Sequence, residues 1–292
     1  MTIAAAGFTW RTGRGLLHFD KPCVMGILNV TPDSFFDGGH HYGEAAALHQ
    51  AERILSEGAD IIDIGGESTR PGAQPISASD ELARVLPVVR SVLHHWPDAV
   101  LSVDTVKSDV AEAVAEEGAA IINDVSGLQI DERIAAVAEH HDLGLVLMHS
   151  RGSVSEMARY ETANYGDDVA GEVVAELGSA VATARRHNVT DDQIVLDPGL
   201  GFSKRTEHSV AVLAQLERLR SLGFPILVGA SRKRFVGELA GGLPPEERLE
   251  ASLAANVAAL AKGAVIFRVH DVAATRRALD VADAIFRASH AQ

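Results

Sequence analysis

The stretch EGADIIDIGG, residues 57–66, has a pattern that occurs twice more, as EGAAIINDVSG at residues 117–127 and KGAVIFRVHD at residues 262–271. In each case a helix-like segment leads into Gly-Ala, a short apolar run and then polar residues. Glycine suits the left-handed position that ends a helix. An apolar run without alternation is typical of a strand buried on both faces. The pattern therefore predicts a helix followed by a strand of a parallel sheet.

Five further apolar runs end in polar residues in the same way. They are CVMGILN at Asn29, VLSVD at Asp104, LGLVLMH at His149, QIVLD at Asp197 and PILVGASRK at residues 231–233. Segments with helical apolar spacing, such as residues 82–93 and 134–138, separate the runs. This alternation predicts a parallel sheet with right-handed crossovers. Eight units in 292 residues predict an α/β fold of the (β/α)₈ TIM barrel type, with a doubly wound open sheet as the alternative.

The N-terminal segment precedes the eight units. FTWRTGRGLLHF, residues 8–19, places a Gly-Arg-Gly turn between two short apolar stretches and predicts a hairpin that closes the N-terminal end of the barrel. No linker, low-complexity tract or charge block marks a second domain in the sequence. We expect one domain over residues 1–292, with the hairpin extension at 1–21 and the barrel at 22–292.

Composition narrows the range of partners. The net charge is −14, from 26 basic and 40 acidic residues, so we expect no nucleic-acid partner and no membrane partner. The single cysteine, Cys23, lies in an apolar run and is expected to be a buried apolar residue. The N-terminus has no signal-peptide pattern, and no apolar span is long enough to cross a bilayer. We therefore expect a cytoplasmic protein.

Polar residues at the strand ends predict a binding site. In a barrel of this type the carboxyl ends of all eight strands meet at one mouth. Carboxylate and amide groups there suit the donor–acceptor edge of a polar heterocycle, and cations beside Asn29 suit phosphate oxygens, with or without a metal. The first set is Asp104, Asn123 and Asp197, and the second is Arg70, Lys233, Arg268 and His270.

Structural roles for the same residues are the alternative. Asp104 could cap a helix that starts near Lys107, and Asp197 could be a turn residue before Pro-Gly. Arg268 could form an ion pair with Asp271. His149 is interpreted as structural, because no second histidine follows it at metal-ligand spacing.

Seven motifs occur in order along the chain: MGILNVTPDSFFDGG, DIGGESTRPGA, SVDT, INDVSG, LDPGLGFSK, VGASRKRF and RVHDV. Together they resemble the dihydropteroate synthases, the transferases of folate biosynthesis that sulfonamides inhibit. The resemblance extends from Pro22 to about Ala284. It implies a TIM barrel that joins 6-hydroxymethyl-7,8-dihydropterin diphosphate to p-aminobenzoate. The products would be 7,8-dihydropteroate and diphosphate, and Mg²⁺ would assist.

The resemblance also implies roles for individual residues. The pterin ring would pair with Asp104, Asn123, Asp197 and Lys233. The diphosphate would contact Asn29, Arg268 and His270, and the Mg²⁺ would contact Asn29, with Asp33 as a further candidate. The aminobenzoate pocket would consist of Thr69, Arg70, Pro71, Phe202, Lys233 and the turn at Ser231 and Arg232. We expect the catalytic set to be Asp104, Asp197, Lys233, Arg70 and Arg268.

One position departs from the family pattern. Some members have Ser after the SRK triplet, where this chain has Arg234. A Ser there helps hold the aminobenzoate carboxylate, whereas Arg234 would offer its backbone N–H at a helix start.

Three further expectations remain open. A pterin-binding methyltransferase that works with a corrinoid partner and a non-catalytic paralogue are the alternative functions. The alanine-rich segment at residues 248–264 could pack within the barrel or across a homodimer, and the resemblance favours the homodimer. The reaction is expected to be a dissociative substitution, because a neutral aryl amine needs no general base and a dihydropterin can delocalise positive charge.

Overall fold

The computed structural model describes residues 7–31, 40–68 and 73–288. Eight of its strands form one parallel sheet in the order β8-β7-β6-β5-β4-β3-β10-β9. A parallel bridge between Leu196 and Ile226 joins the two ends of this order, so the sheet closes on itself. The TIM-barrel prediction is therefore confirmed, and the open-sheet alternative is wrong. The strands are β1 (Phe8–Thr12), β2 (Gly15–Phe19), β3 (Cys23–Asn29), β4 (Ile61–Gly65), β5 (Leu101–Asp104), β6 (Ile121–Asp124), β7 (Gly144–Met148), β8 (Ile194–Asp197), β9 (Leu227–Val228) and β10 (Ile266–Val269).

Helices follow the barrel strands and cover the outside of the sheet. The segment at residues 82–93 lies within one helix, where Val85, Val89 and Val92 face the core, as its spacing predicts. The Ser77 hydroxyl caps this helix by accepting a hydrogen bond from the Asp80 backbone N–H at 3.1 Å. The helices are α1 (His40–Ser56), α2 (Ala78–His95), α3 (Ser108–Glu116), α4 (Arg133–His140), α5 (Val169–Arg186), α6 (Thr206–Ala214), α7 (Arg234–Leu239), α8 (Leu249–Ala261) and α9 (Val272–Ala288).

The N-terminal hairpin closes the base of the barrel, as predicted. Strands β1 and β2 pair in antiparallel fashion, with Trp10 opposite Leu17. The Trp10 side chain is fully buried among apolar residues from the starts of the barrel strands, including Cys23 and Ile121. Its indole N–H donates a hydrogen bond to the Gln193 carbonyl at 2.7 Å. The hairpin therefore seals the end of the barrel that lies opposite the strands' carboxyl ends.

Alternation along the strands separates an apolar lower interior from a polar upper interior. Successive side chains of a strand point to opposite faces of the sheet. In β4, Ile61 lies in the apolar cluster at the base, and Asp63 is the next residue on the same face. In β10, Ile266 lies in that cluster and Arg268 is the next residue on its face. Polar groups are thus concentrated near the carboxyl ends of the strands.

Strand β9 is shorter than the sequence predicts. The apolar run was expected to continue to residues 231–233, but the strand ends at Val228. The chain then turns, and Arg232 adopts a positive φ of 57°, which is incompatible with a strand. This turn places Lys233 at the cap of α7.

Within the described ranges, the structure holds no helix with the length and apolarity needed to span a bilayer.

Candidate active site

A cleft of about 890 Å³ lies at the carboxyl ends of the strands. Most of the predicted site residues in the described part of the chain line it. They are Asn29, Asp104, Phe202, Ser231, Arg232, Lys233, Arg268 and His270. The predicted residues Thr69, Arg70, Pro71 and Asp33 lie outside the described residues.

The remaining two predicted residues, Asn123 and Asp197, lie at the strand ends that surround this cleft and are almost fully buried. Asn123 is 2% exposed and Asp197 is 4% exposed. Asn123 is the register partner of Asp104 in the adjacent strand. One carboxylate oxygen of Asp197 accepts a hydrogen bond from the Gly199 backbone N–H at 2.7 Å. Asp197 is therefore the turn residue that the alternative interpretation proposed, and it also stands at the end of a barrel strand.

Arg268 contacts two carboxylates inside the barrel. Its Nε donates to Asp63 Oδ2 at 2.6 Å, and its Nη2 donates to Asp104 Oδ2 at 2.8 Å. The suggested ion pair between Arg268 and Asp271 is wrong, because Asp271 pairs with Arg232 instead. Asp104 does not cap α3 either, since its carboxylate is held by Arg268. Arg268, which was predicted to bind an anionic group, thus lies beside Asp104, which was predicted to bind a polar heterocycle.

Burial and the local charges set the protonation of Asp104. Burial, against the opposing effect of Arg268 and with a contribution from the nearby Asp63 carboxylate, raises the pKa of Asp104 to about 7. Asp104 can therefore exist in either protonation state near neutral pH. In the protonated state its carboxyl group can donate a hydrogen bond, and in the ionised state it only accepts hydrogen bonds.

Lys233 lies over an aromatic ring at one wall of the cleft. Its Nζ is 4.1 Å from the centroid of the Phe202 ring and donates a hydrogen bond to the Leu200 carbonyl at 2.5 Å. Burial lowers the pKa of Lys233 to about 8, against the opposing effect of Asp197. This wall therefore offers a flat apolar face next to a cation, a combination that suits an aromatic carboxylate.

Ser231 and His270 form a polar pair beside Arg268. The Ser231 hydroxyl lies 3.1 Å from His270 Nδ1 and accepts a hydrogen bond from the His270 backbone N–H at 3.1 Å. Asn29, at the end of β3, completes this side of the cleft. Arg234 starts α7, as expected, but its guanidinium pairs with Glu238 at 2.7 Å and lies 4.3 Å from the Tyr160 ring centroid.

Sequence reasoning missed two charged residues in this region. Asp63 is fully buried and accepts hydrogen bonds from Arg268 and from the Asn123 amide, the latter at 3.3 Å. A charged residue inside the apolar run IIDIG was the signal that could have revealed it. Lys204 is 1% exposed. Its partners include backbone carbonyls, which leave no pattern in the sequence.

Comparison with known proteins agrees with this geometry. The pterin binding enzyme family matches residues 25–270. A dihydropteroate synthase of Synechocystis sp. is 44% identical over 264 residues, which cover 90% of each chain. The chain belongs to the dihydropteroate synthase family. A Xanthomonas albilineans member of the family, solved with 4-aminobenzoic acid, superposes with a TM-score of 0.87 at 43% identity and covers 95% of this chain and 98% of its own.

A second solved member of the dihydropteroate synthase family gives the same agreement. The Burkholderia cenocepacia enzyme, in complex with 7,8-dihydropteroate, has a TM-score of 0.86 at 40% identity. The match covers 98% of this chain and 99% of that one. The family resemblance that the motifs carry is therefore confirmed over almost the whole chain.

Proposed function

We propose that the chain is a dihydropteroate synthase that acts in folate biosynthesis. It joins 6-hydroxymethyl-7,8-dihydropterin diphosphate to p-aminobenzoate and releases 7,8-dihydropteroate and diphosphate. The observation that carries the proposal is the 2.8 Å contact between Arg268 and Asp104 in one cleft. Groups suited to a pterin ring and groups suited to a diphosphate are thus adjacent, as a substrate with both parts requires.

The pterin ring lies deep in the barrel, against Asp104, Asn123, Asp197 and Lys233. Buried carboxylate and amide groups match the donor–acceptor edge of the ring. Reaction breaks the bond between the pterin methylene carbon and the diphosphate oxygen, and the electron pair leaves with the diphosphate. The carboxylates of Asp104 and Asp197 stabilise the positive charge that develops on the pterin.

The leaving diphosphate is received by Arg268, His270 and Asn29. Arg268 contacts Asp63 through Nε and Asp104 through Nη2, which holds its guanidinium at the cleft. The amine lone pair of p-aminobenzoate then forms the new bond to the methylene carbon, and one amine proton is lost. The amine is neutral at pH 7, so no general base is required to activate it.

Asn29 can take part in binding Mg²⁺ together with the substrate. Among the described residues, no group of three or more His, Cys, Asp or Glu side chains forms a metal site. Asn29 lines the cleft and offers one amide oxygen, with Gly65 beside it leaving room. This donor set fits an ion that obtains most of its oxygen ligands from a diphosphate and water. When bound, Mg²⁺ neutralises charge on the leaving diphosphate.

The p-aminobenzoate ring lies near Phe202, with its carboxylate toward Ser231 and the Arg232 turn. Lys233, 4.1 Å from the centroid of the Phe202 ring, borders both substrates. The family resemblance further assigns Thr69, Arg70 and Pro71 to the p-aminobenzoate pocket; these three lie outside the described residues.

Release of diphosphate tests this function. The purified chain is mixed with dihydropterin diphosphate, p-aminobenzoate and Mg²⁺, and diphosphate and dihydropteroate are measured together. We expect equal amounts of both products. Absence of both would favour a non-catalytic paralogue. Methyl transfer from a methylated folate to a corrinoid partner would favour the methyltransferase alternative, which makes no use of Arg268 and His270 as diphosphate ligands.

The dissociative course has its own test. Cleavage of the substrate is followed after p-aminobenzoate is withheld. Continued cleavage of the carbon–oxygen bond is expected, because the cation forms before the amine attacks. Strict dependence of cleavage on the amine would contradict a dissociative reaction.

We also propose that the chain forms a homodimer through its late helices. Val281 and Ile285 lie one turn apart on α9, and each is 61% exposed. Ala254 and Ala258 are exposed on α8, which packs against α9. A second copy would cover this apolar face. Sedimentation is expected to give twice the mass of one chain, and the variant Ile285→Glu is expected to give a monomer. The cytoplasmic location stays a prediction.

A further inference from the structure

Lys204 is a buried lysine that the proposed reaction does not use, and burial lowers its pKa well below the ordinary value. Its side chain is 1% exposed, whereas lysines are almost never fully buried unless they are paired. The ammonium donates hydrogen bonds to the Gly199 carbonyl at 3.1 Å and to the Phe202 carbonyl at 3.2 Å. Its third contact is His149 Nδ1, at 2.8 Å. The Lys204 nitrogen therefore has three polar partners.

His149 fixes Lys204 from the other side. Burial lowers the pKa of His149 to about 4, and the charge of Lys204 lowers the pKa further, so the imidazole is neutral at pH 7. His149 Nε2 lies 3.0 Å from Glu176 Oε2, and a neutral ring donates to this carboxylate from Nε2. Nδ1 is then free to accept from Lys204. Glu176 is itself held by Arg151, so the side-chain network reaches the surface of α5.

The two carbonyls belong to a turn that needs support. Gly199, Gly201 and Ser203 have φ values of 65°, 76° and 48°, so three residues in five adopt the left-handed conformation. A Cβ atom at Gly199 would lie 1.9 Å from the His149 carbonyl oxygen. This backbone is pressed against β7, with carbonyl groups facing inward. Buried carbonyl groups require hydrogen-bond donors, and Lys204 supplies donors to both ends of the turn.

The same turn carries two contacts of Lys233. The Leu200 carbonyl accepts a hydrogen bond from Lys233 Nζ, and the Phe202 ring lies under that ammonium. Lys204 holds the carbonyls of Gly199 and Phe202, and Leu200 lies between these two residues in the chain. A shift of the turn would therefore move the ring and the hydrogen-bond acceptor of Lys233 together.

We propose that Lys204 is a positioning residue for the p-aminobenzoate subsite. It fixes residues 199–203 in the conformation that presents the Phe202 ring and the Leu200 carbonyl to Lys233. The inference rests on the proposed function, because it names the subsite of the second substrate. Lys204 acts through the turn, whose carbonyls it holds.

The variant Lys204→Met tests this role, because Met keeps most of the length and removes every donor. We expect the KM for p-aminobenzoate to rise about 10-fold or more, as a misplaced binding group does, while the KM for dihydropterin diphosphate changes less than about 2-fold. The melting temperature is expected to fall, because the variant leaves the Gly199 and Phe202 carbonyls without this donor. The split between the two KM values therefore decides the test, since a merely structural lysine would affect both substrates alike, which would overturn the proposal.

Two further variants complete the experiment. Glu176→Gln weakens the support of His149 from a partly exposed position and is expected to raise the same KM by about 3-fold. Lys262→Met, a surface lysine paired with Glu217, is the matched control and is expected to leave both KM values unchanged. An unchanged p-aminobenzoate KM in both Lys204→Met and Glu176→Gln would overturn the proposal. Absence of product with the unmodified chain would refute the proposed function instead, so the two failures are distinguishable.

Discussion

Replacing Asp104 by Asn should remove activity and, at the same time, stabilise the ligand-free protein. Asp104 is buried beside Asp63, and its pKa is raised from 3.8 to about 7 even though Arg268 contacts it. Ionised Asp104 is therefore disfavoured in the folded chain relative to the unfolded chain. Asn has nearly the same shape and carries no charge, so it removes this penalty.

The size of the effect follows from the pKa. A carboxyl group whose pKa is raised on folding contributes no penalty below its unfolded pKa of 3.8 and an increasing penalty as the pH rises toward 7. The penalty is about 2 kcal/mol at pH 5 and about 4 kcal/mol at pH 8, at 1.36 kcal/mol per pKa unit. The penalty thus differs by about 2 kcal/mol between the two pH values, and at roughly 2–4 °C per kcal/mol the gain in melting temperature should be roughly 4–8 °C larger at pH 8.

The assay is thermal unfolding of Asp104→Asn and the unmodified chain at pH 5 and pH 8. We expect a gain in melting temperature that is larger at pH 8. Asp131→Asn is the control, because Arg133 and Ser108 hold the pKa of Asp131 below its ordinary value. Asp131 is thus ionised in both folded and unfolded chains at both pH values, and its replacement should have the same effect at each. A loss of stability for Asp104→Asn that is greatest at pH 8 would refute the reasoning.

Three other substitutions have defined outcomes. Arg268→Met leaves Asp63 and Asp104 without their cation and should cost about 3–5 kcal/mol of folding stability as well as activity. Urea unfolding and product formation measure these losses, and full stability would contradict the buried ion pairs. Gly199→Ala places a Cβ 1.9 Å from the His149 carbonyl oxygen at a φ of 65° and should cost at least about 2 kcal/mol, with unchanged unfolding as the contrary result. Trp10→Ala opens a cavity at the base of the barrel and should cost about 3–5 kcal/mol of folding stability. The KM values should stay unchanged, because Trp10 lies at the end opposite the cleft, and altered KM values would contradict this separation.

The sequence predicted the barrel because its strands and helices carry strong local signals. Gly-Ala pairs mark the ends of helices, and β-branched runs mark strands that are buried on both faces. The polar residues that end those runs, such as Asn29, Asp104 and Asp197, then had to share one rim. The hairpin was predictable from its Gly-Arg-Gly turn, and Trp10 explains how it seals the barrel.

Other features depend on contacts between distant parts of the chain. Strand β9 ends at Val228, and Arg232 in the turn that follows adopts a left-handed conformation, which its residue type does not predict. Asp63 was overlooked because one charge within an apolar run gives no indication of its partner, which is 205 residues away. Lys204 was overlooked because its partners are backbone carbonyls and a histidine 55 residues away. Side-chain contacts between such distant residues depend on closure of the barrel, and the local spacing of apolar residues does not predict them.

A crystal structure of the chain with dihydropterin diphosphate bound tests the central claim most directly. The account predicts that the pterin ring contacts Asp104, Asn123 and Asp197 and that Arg268 contacts the diphosphate. A ring bound outside the barrel mouth, or a diphosphate away from both Arg268 and His270, would contradict it.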